Sequence, residues 1–273
     1  MNHAGLQNKL ASRAGLGVLS AFTGLFFVAL IAPIVVVVLV SFTPGEALTV
    51  PVTAFSMRWY RRLWEYQPFV DSLITSLYLA LSSSFIAILV AVPAAIGIGQ
   101  SRSRVATALT TFLLAPIAIP ALVIGLSLLY FLSNIGIGVS YAALLIAHTV
   151  VSVPYVMRTT LATYRNTHAS YREAASVLGA SSWQTFRHVT LPLIAPGIFA
   201  GALFSILVSL DNLGVSYFFG TANVTTLPVV MLSYLQNQFD PAIAAVSTVQ
   251  MAITVVLLLI VEKTYGLRSL TTQ

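Results

Sequence analysis

A chain of 273 residues, 58% of them apolar and 7% charged, falls far below the roughly 25% charge of a soluble domain. That composition excludes a water-solvated globule and indicates a polytopic membrane protein. Without cysteine, and with four scattered histidines (His3, His148, His168, His188), disulfides, thiol chemistry and clustered metal sites are excluded too, and no cofactor is expected. The net charge of +6 sits in short loops beside apolar runs, which marks membrane topology rather than a nucleic-acid surface.

In chain order, residues 1–16 form a basic tail carrying Lys9 and Arg13. The apolar run at about 17–42 is longer than a signal-peptide core, and no small-x-small cleavage site follows it, so it is expected to remain as the first spanning helix. Counting against the ~20 residues needed to cross a bilayer, five more spans follow at about 71–98, 107–132, 140–162, 193–215 and 242–262. Asp71-Ser72 is the expected start of the second, and Pro116 and Pro120 are expected to kink the third. Between the first two spans, Trp59, Tyr60, Trp64 and Tyr66 suggest a helix lying on the outer surface, its aromatics forming an interface belt.

With six spans both termini share one side. Lys9, Arg13, Arg102, Arg104, Arg158, Arg165, Arg172, Arg187, Lys263 and Arg268 then all face the cytoplasm, and only Arg58, Arg61 and Arg62 lie opposite. The expected fold is all-α, with residues 17–270 forming one six-helix domain. No internal repeat of the kind found in many secondary carriers is present.

One long polar stretch, residues 163–192, interrupts the apolar pattern between spans four and five. Ser170-x-x-Glu173 and Ser181-x-x-Gln184 each fit a capping box. Gly179 can adopt the left-handed conformation that ends a helix, and Pro192 is expected to stop the second helix before span five. Tyr171, Leu178, Trp183 and Phe186 supply apolar surface. Local physics leaves two readings open: a hairpin covering the ends of its own bundle, or a docking device for a soluble partner.

Asp211, near the outer part of span five, is a costly residue in a membrane and should face the bundle interior or water. It could line a passage with Asn212, relay protons, or be a solvated helix-end acid bonded to Asn212, Ser209 or Ser216. Tyr217, Phe218 and Phe219 fit a gate or an interface belt equally well. His148 reads as a buried neutral imidazole bonded across helices. A proton- or sodium-coupled carrier using Asp211 and His148 is the rival to a driven permease; the scarcity of intramembrane ionisable groups disfavours it. No G-x-x-x-x-G-K-[ST] phosphate loop occurs in the chain, so ATP is not bound by it.

Glu173-Ala174-Ala175, Gly179 and Val189-x-Leu191-Pro192, at these spacings and between spans four and five, resemble the EAA loop of bacterial ABC-importer permeases. Val189 stands where the family pattern has Ile. Weaker motifs extend the likeness over nearly the whole chain: Phe55-Ser56 with Trp59-Tyr60, Leu114 to Pro120, Ser209-Leu210-Asp211, Thr226 to Val229 and Asp240-Pro241. They are most similar to the second permease of spermidine/putrescine-type systems. The resemblance implies a type I importer (MetI-like) fold in the bacterial inner membrane. It also implies that Glu173, Ala174, Ala175, Leu178, Gly179, Leu191 and Pro192 form the contact with ABC ATPase subunits. A second permease or a copy of this chain, an extracytoplasmic solute-binding protein and membrane lipid would complete the assembly, with a polyamine, opine or aminophosphonate as cargo. Asp211, Asn212 and Tyr217 are the candidates for its path, although relatives often carry a second acid where this chain has Asn212.

Overall fold

The computed structural model describes residues 3–47, 52, 54–101, 103–221 and 224–265, without the side chains of 3–16, 18, 264 and 265. Lys9, Arg13, Arg102 and Arg268, expected on the cytoplasmic side, therefore have side chains outside the described part. Twelve α-helices account for nearly all of the described backbone: α1 (His3–Val40), α2 (Arg58–Glu65), α3 (Gln67–Gly99), α4 (Arg104–Leu114), α5 (Ala121–Asn134), α6 (Tyr141–Asn166), α7 (Ser170–Val177), α8 (Ser182–Thr185), α9 (Leu191–Leu210), α10 (Leu213–Ser216), α11 (Leu227–Asn237) and α12 (Ala242–Tyr265). Helices dominate because hydrocarbon offers the backbone no hydrogen-bond partner outside the segment itself.

The chain divides into two compact units, residues 1–65 with 238–250, and residues 66–237 with 251–273. In the first unit, the long apolar α1 exposes Phe22, Leu25 and Val28, as a lipid-solvated span does. A helix forms where one was predicted, as α2, but Trp59 is not placed as a belt residue would be. It is 0% exposed, its indole Nε1 donates to the Thr43 carbonyl at 2.8 Å, and the Arg58 and Arg62 guanidinium groups lie 4.8 and 5.7 Å from its ring centroid. Tyr60 bonds Ser41 at 2.7 Å, whereas Trp64 and Tyr66 are exposed. Arg62 faces Asp240 at 3.6 Å, whose Oδ1 accepts from the Ala242 amide and so caps α12.

The second unit is built on α3, α6 and α9, which pack against one another. Ala87, Ala91 and Ala95 form a small-residue stripe on α3 that seats Val153, Val156 and Met157 of α6 with Ile194 and Ile198 of α9. Such stripes let membrane helices approach closely where no hydrophobic effect drives them together. On the side of α3 away from the stripe, Leu81, Phe85 and Leu89 are exposed. Gly197 and Gly201, four residues apart on α9, do the same work against α6: a Cβ at Gly197 would collide with Thr163, and one at Gly201 with Thr159. Further out, Leu79, Ile124, Leu144, Ala147, Val215 and Phe219 form another buried cluster.

Several boundaries differ from the expected ones. Span two begins at Gln67–Pro68, not at Asp71-Ser72: proline in the first helical turn sacrifices no hydrogen bond there. Span three is not one kinked helix. α4, with a 3₁₀ turn over Ala115–Ala118, meets α5 at 109°. Pro116 and Pro120 both lack the amide that would continue the ladder. Counting that bent pair as one gives six candidate spans among the described residues. α11 is too short to cross a bilayer; the Leu227 amide donates to Ser76 Oγ at 2.8 Å, tying it to α3.

Candidate functional site

Two places in the second unit combine exposed or cavity-facing groups with a defined scaffold. The first is the loop between α6 and α9. α7 starts one residue earlier than its capping box predicts: Ala169 is already in the right-handed region (φ −61°, ψ −29°), and no side chain caps the helix. The Arg172 and Glu173 amides donate to the Ala169 carbonyl at 3.0 and 3.1 Å. Ser170 is thus inside the first turn and its box with Glu173 does not form. Among the described residues the Glu173 carboxylate has no ion-pair or hydrogen-bond partner. It sits where the helix dipole favours an acid.

The end of α7 is as expected. Gly179 has φ +81°, its amide donates to Ser176 and that of Ala180 to Ala175, each at 3.0 Å, a Schellman closure. The second box also forms: Ser181 Oγ accepts from the Gln184 amide, and Gln184 Oε1 accepts from the Ser181 amide. Beyond it the expected stop at Pro192 is absent. Thr190 and Leu191 stay helical, and Phe186–Thr190 form a π turn in which the Leu191 amide donates to the Phe186 carbonyl. Proline's ring would clash with the carbonyl four residues back in an α-helix; widening the turn removes the clash without breaking the helix. α8, the π turn and α9 therefore form one continuous run from Ser182 to Leu210.

No residue of α7 is buried. Val177 and Leu178 are 86% and 87% exposed, and Tyr171 and Trp183 are also open to solvent. The loop does not cover the ends of its own bundle. Of the predicted contact residues, Glu173, Ala174, Leu178 and Gly179 are exposed together and Ala175 is half-buried, whereas Leu191 packs against the Ala87–Ile198 core and Pro192 lies at the π turn. α7 is anchored to α6 by Arg172, whose guanidinium lies 4.8 Å from the Tyr164 ring centroid.

The second place lies at the opposite end of α9. Asp211 is the C-cap of α9, and Asn212 caps α10 by accepting from the Val215 amide at 3.0 Å. Both line a cavity of about 530 Å³ whose other walls include Pro116, Ile119, Val151 and Tyr155. The break between α4 and α5 and the break between α9 and α10 thus face one space. Irregular backbone at membrane depth is tolerated where it lines a cavity, and interrupted helices commonly build solute sites. Asp211 is exposed and has no salt-bridge partner among the described residues. Tyr217, the remaining pathway candidate, is exposed, stacks edge-on with Phe218 at 5.6 Å and is not part of the cavity wall; Phe219 is fully buried. His148 is 1% exposed and bridges helices: Nδ1 pairs with Ser209 Oγ at 2.7 Å and Nε2 with Ser216 Oγ at 2.9 Å. Both ring nitrogens are committed to serines and neither to Asp211.

Pattern reading missed two contributors: the Gly197/Gly201 pair, whose G-x-x-x-G spacing on an apolar helix was a signal in plain view, and Tyr155, which has none.

Known proteins resemble this chain in sequence and in fold. The spermidine/putrescine transport system permease protein PotC of Haemophilus influenzae is 28% identical over 241 residues, 88% of this chain and 93% of that protein. The putrescine permease PotI of Escherichia coli is 29% identical, covering 81% of each. The molybdenum permease ModB of Mycobacterium tuberculosis is 29% identical over 69% of this chain and 76% of its own length. A bacterial ABC transporter that imports the acidic polysaccharide alginate shares the fold, with a TM-score of 0.71 at 16% identity over 95% of this chain and 98% of that one. The family model described as "Binding-protein-dependent transport system inner membrane component" matches residues 87–263. By that match the chain belongs to this family, and it is a multi-pass, non-hydrolysing permease subunit of an ABC importer.

Proposed function

We propose that residues 17–270 act as one permease domain that pairs with a second permease, or with a copy of itself, to carry a small nitrogen-containing solute. In this reading α7 and α8 insert into an ATPase subunit through Glu173, Ala174, Ala175, Leu178 and Gly179, while Leu191 and Pro192 transmit the movement at the root of α9. The observation that carries the proposal is the pairing of a bare apolar loop, with Val177 and Leu178 almost wholly exposed, with an unbroken helix that ends at the cavity containing Asp211. ATPase closure displaces the loop, and α9, locked to α6 by Gly197 and Gly201, carries the displacement to that cavity.

The polyamine relatives favour an alkylammonium cargo, and Asp211 supplies a matching charge beside Asn212; opines and aminophosphonates carry the same ammonium handle. The molybdenum and alginate systems carry other cargo on the same fold, so cargo is assigned on relatives and Asp211 together.

Reconstitution with candidate ATPase, second-permease and binding-protein partners tests the coupling. Leu178→Asp alters a solvent-exposed side chain and leaves stability within ~0.5 kcal/mol, yet solute-stimulated ATP hydrolysis and uptake should fall at least tenfold, with Glu173→Lys acting in the same direction. Wild-type hydrolysis and uptake in both variants would reject the assignment. Titrating the partner binding protein with polyamines, opines and aminophosphonates tests the cargo.

A further inference from the structure

At the inner end of α6, where the chain turns into α7, a cavity of about 710 Å³ is lined by Tyr164, Arg165, His168 and Arg172, with Ser101 and Thr107 among its other walls. None of its described lining residues is acidic. Tyr164 is 2% exposed, and among the described residues its hydroxyl has no hydrogen-bond partner; neither does Nη1 of Arg172, although that atom is buried. The two groups are held in place: the guanidinium stacks 4.8 Å from the Tyr164 ring centroid, and the ring lies so close to α3 that a Cβ at Gly99 would collide with it.

Buried polar groups normally find partners inside the protein. Here two buried donors, one of them cationic, belong to residues that line a basic cavity, and neither is paired with another described residue. An anion with several oxygens meets that requirement, and phosphate suits guanidinium better than any other common group. The charge pattern places this end of α6 at the inner headgroup level, where basic pockets between helices receive acidic lipids.

We propose that the cavity binds a phosphate-bearing anion, a phospholipid headgroup or free phosphate, with Arg172 Nη1 and Tyr164 Oη as donors and Arg165 as the second full charge. Bound there, the anion fastens the start of α7 to the end of α6. The inference shares the inward orientation of the loop with the function proposed above, but it needs no ATPase contact.

The full-length chain in phosphatidylcholine nanodiscs, with or without phosphatidylglycerol, tests it by native mass spectrometry, alongside inorganic-phosphate titration of the melting temperature in phosphatidylcholine alone. Retained phosphatidylglycerol identifies a lipid site, and a melting shift with phosphate alone identifies a soluble anion; either supports the site. Arg172→Gln should weaken binding about tenfold or more and Tyr164→Phe, which keeps the stacked ring, about fivefold. If neither probe binds, or both variants bind as the wild type does, the site does not exist. Because no ATPase is present, intact binding by Leu178→Asp separates failure of this site from failure of the coupling assignment.

Discussion

His148 illustrates how a polar residue is accommodated in a membrane core. Its two nitrogens reach Ser209 on α9 and Ser216 on α10, so one side chain of α6 secures both sides of the break that holds Asp211 and Asn212. A neutral imidazole has one donor and one acceptor, and two serine hydroxyls can answer both roles. Replacing it with the slightly larger Phe strands the Ser216 hydroxyl and leaves Ser209 only its 3.5 Å bond from Ser83; a buried hydroxyl left unpaired costs about 1–3 kcal/mol. His148→Phe should therefore lower the melting temperature of the purified chain and reduce uptake, while leaving ATPase docking intact in a pull-down. Unchanged melting would mean that the serines find other partners. The residue's cross-helix bonding was legible from an isolated histidine in an apolar span. Which helices it joins was not, because that depends on packing between segments distant in sequence.

At the scale of elements, the α6–α9 pair is in close contact, since glycines at 197 and 201 bring α9 onto Thr159 and Thr163. Gly201→Val should force these helices apart at a cost of about 1–3 kcal/mol, and it should uncouple ATP hydrolysis from uptake more than it reduces either alone. Parallel measurement of the two rates decides this. Most helices were readable from apolar run lengths, and the Gly179 closure and the Ser181 box from local sequence. Three features were not. Proline at 192 signals a stop by its local chemistry, and only the π turn, a response of the backbone to that same proline, lets the helix pass through. Ser170 lost its capping role because Ala169 entered the helix first. The sharp break at Pro116 and Pro120 exceeds a simple kink because the 3₁₀ turn between them changes the direction of the chain.

For the whole molecule, family membership places the energy source outside this chain. In liposomes the chain alone should support no uptake under an imposed proton or sodium gradient. Uptake should appear when the partner subunits, binding protein and internal ATP are added. Gradient-driven accumulation by the chain alone, measured with radiolabelled putrescine, would restore the carrier reading. Charge asymmetry and span count made the architecture legible at this scale. Cargo was not legible, because Asp211 and Asn212 define a charge and an amide without the dimensions of a solute.

The continuity of Ser182–Leu210 has one more implication. Twenty-nine residues of helix make a shaft roughly 40 Å long; under the coupling proposed above it is geared to the motor at one mouth and bears an acid at the other. Neither end can turn without the other, so leak and idling should rise or fall together: any variant that lets the motor spin freely should also leave the far gate unsynchronised.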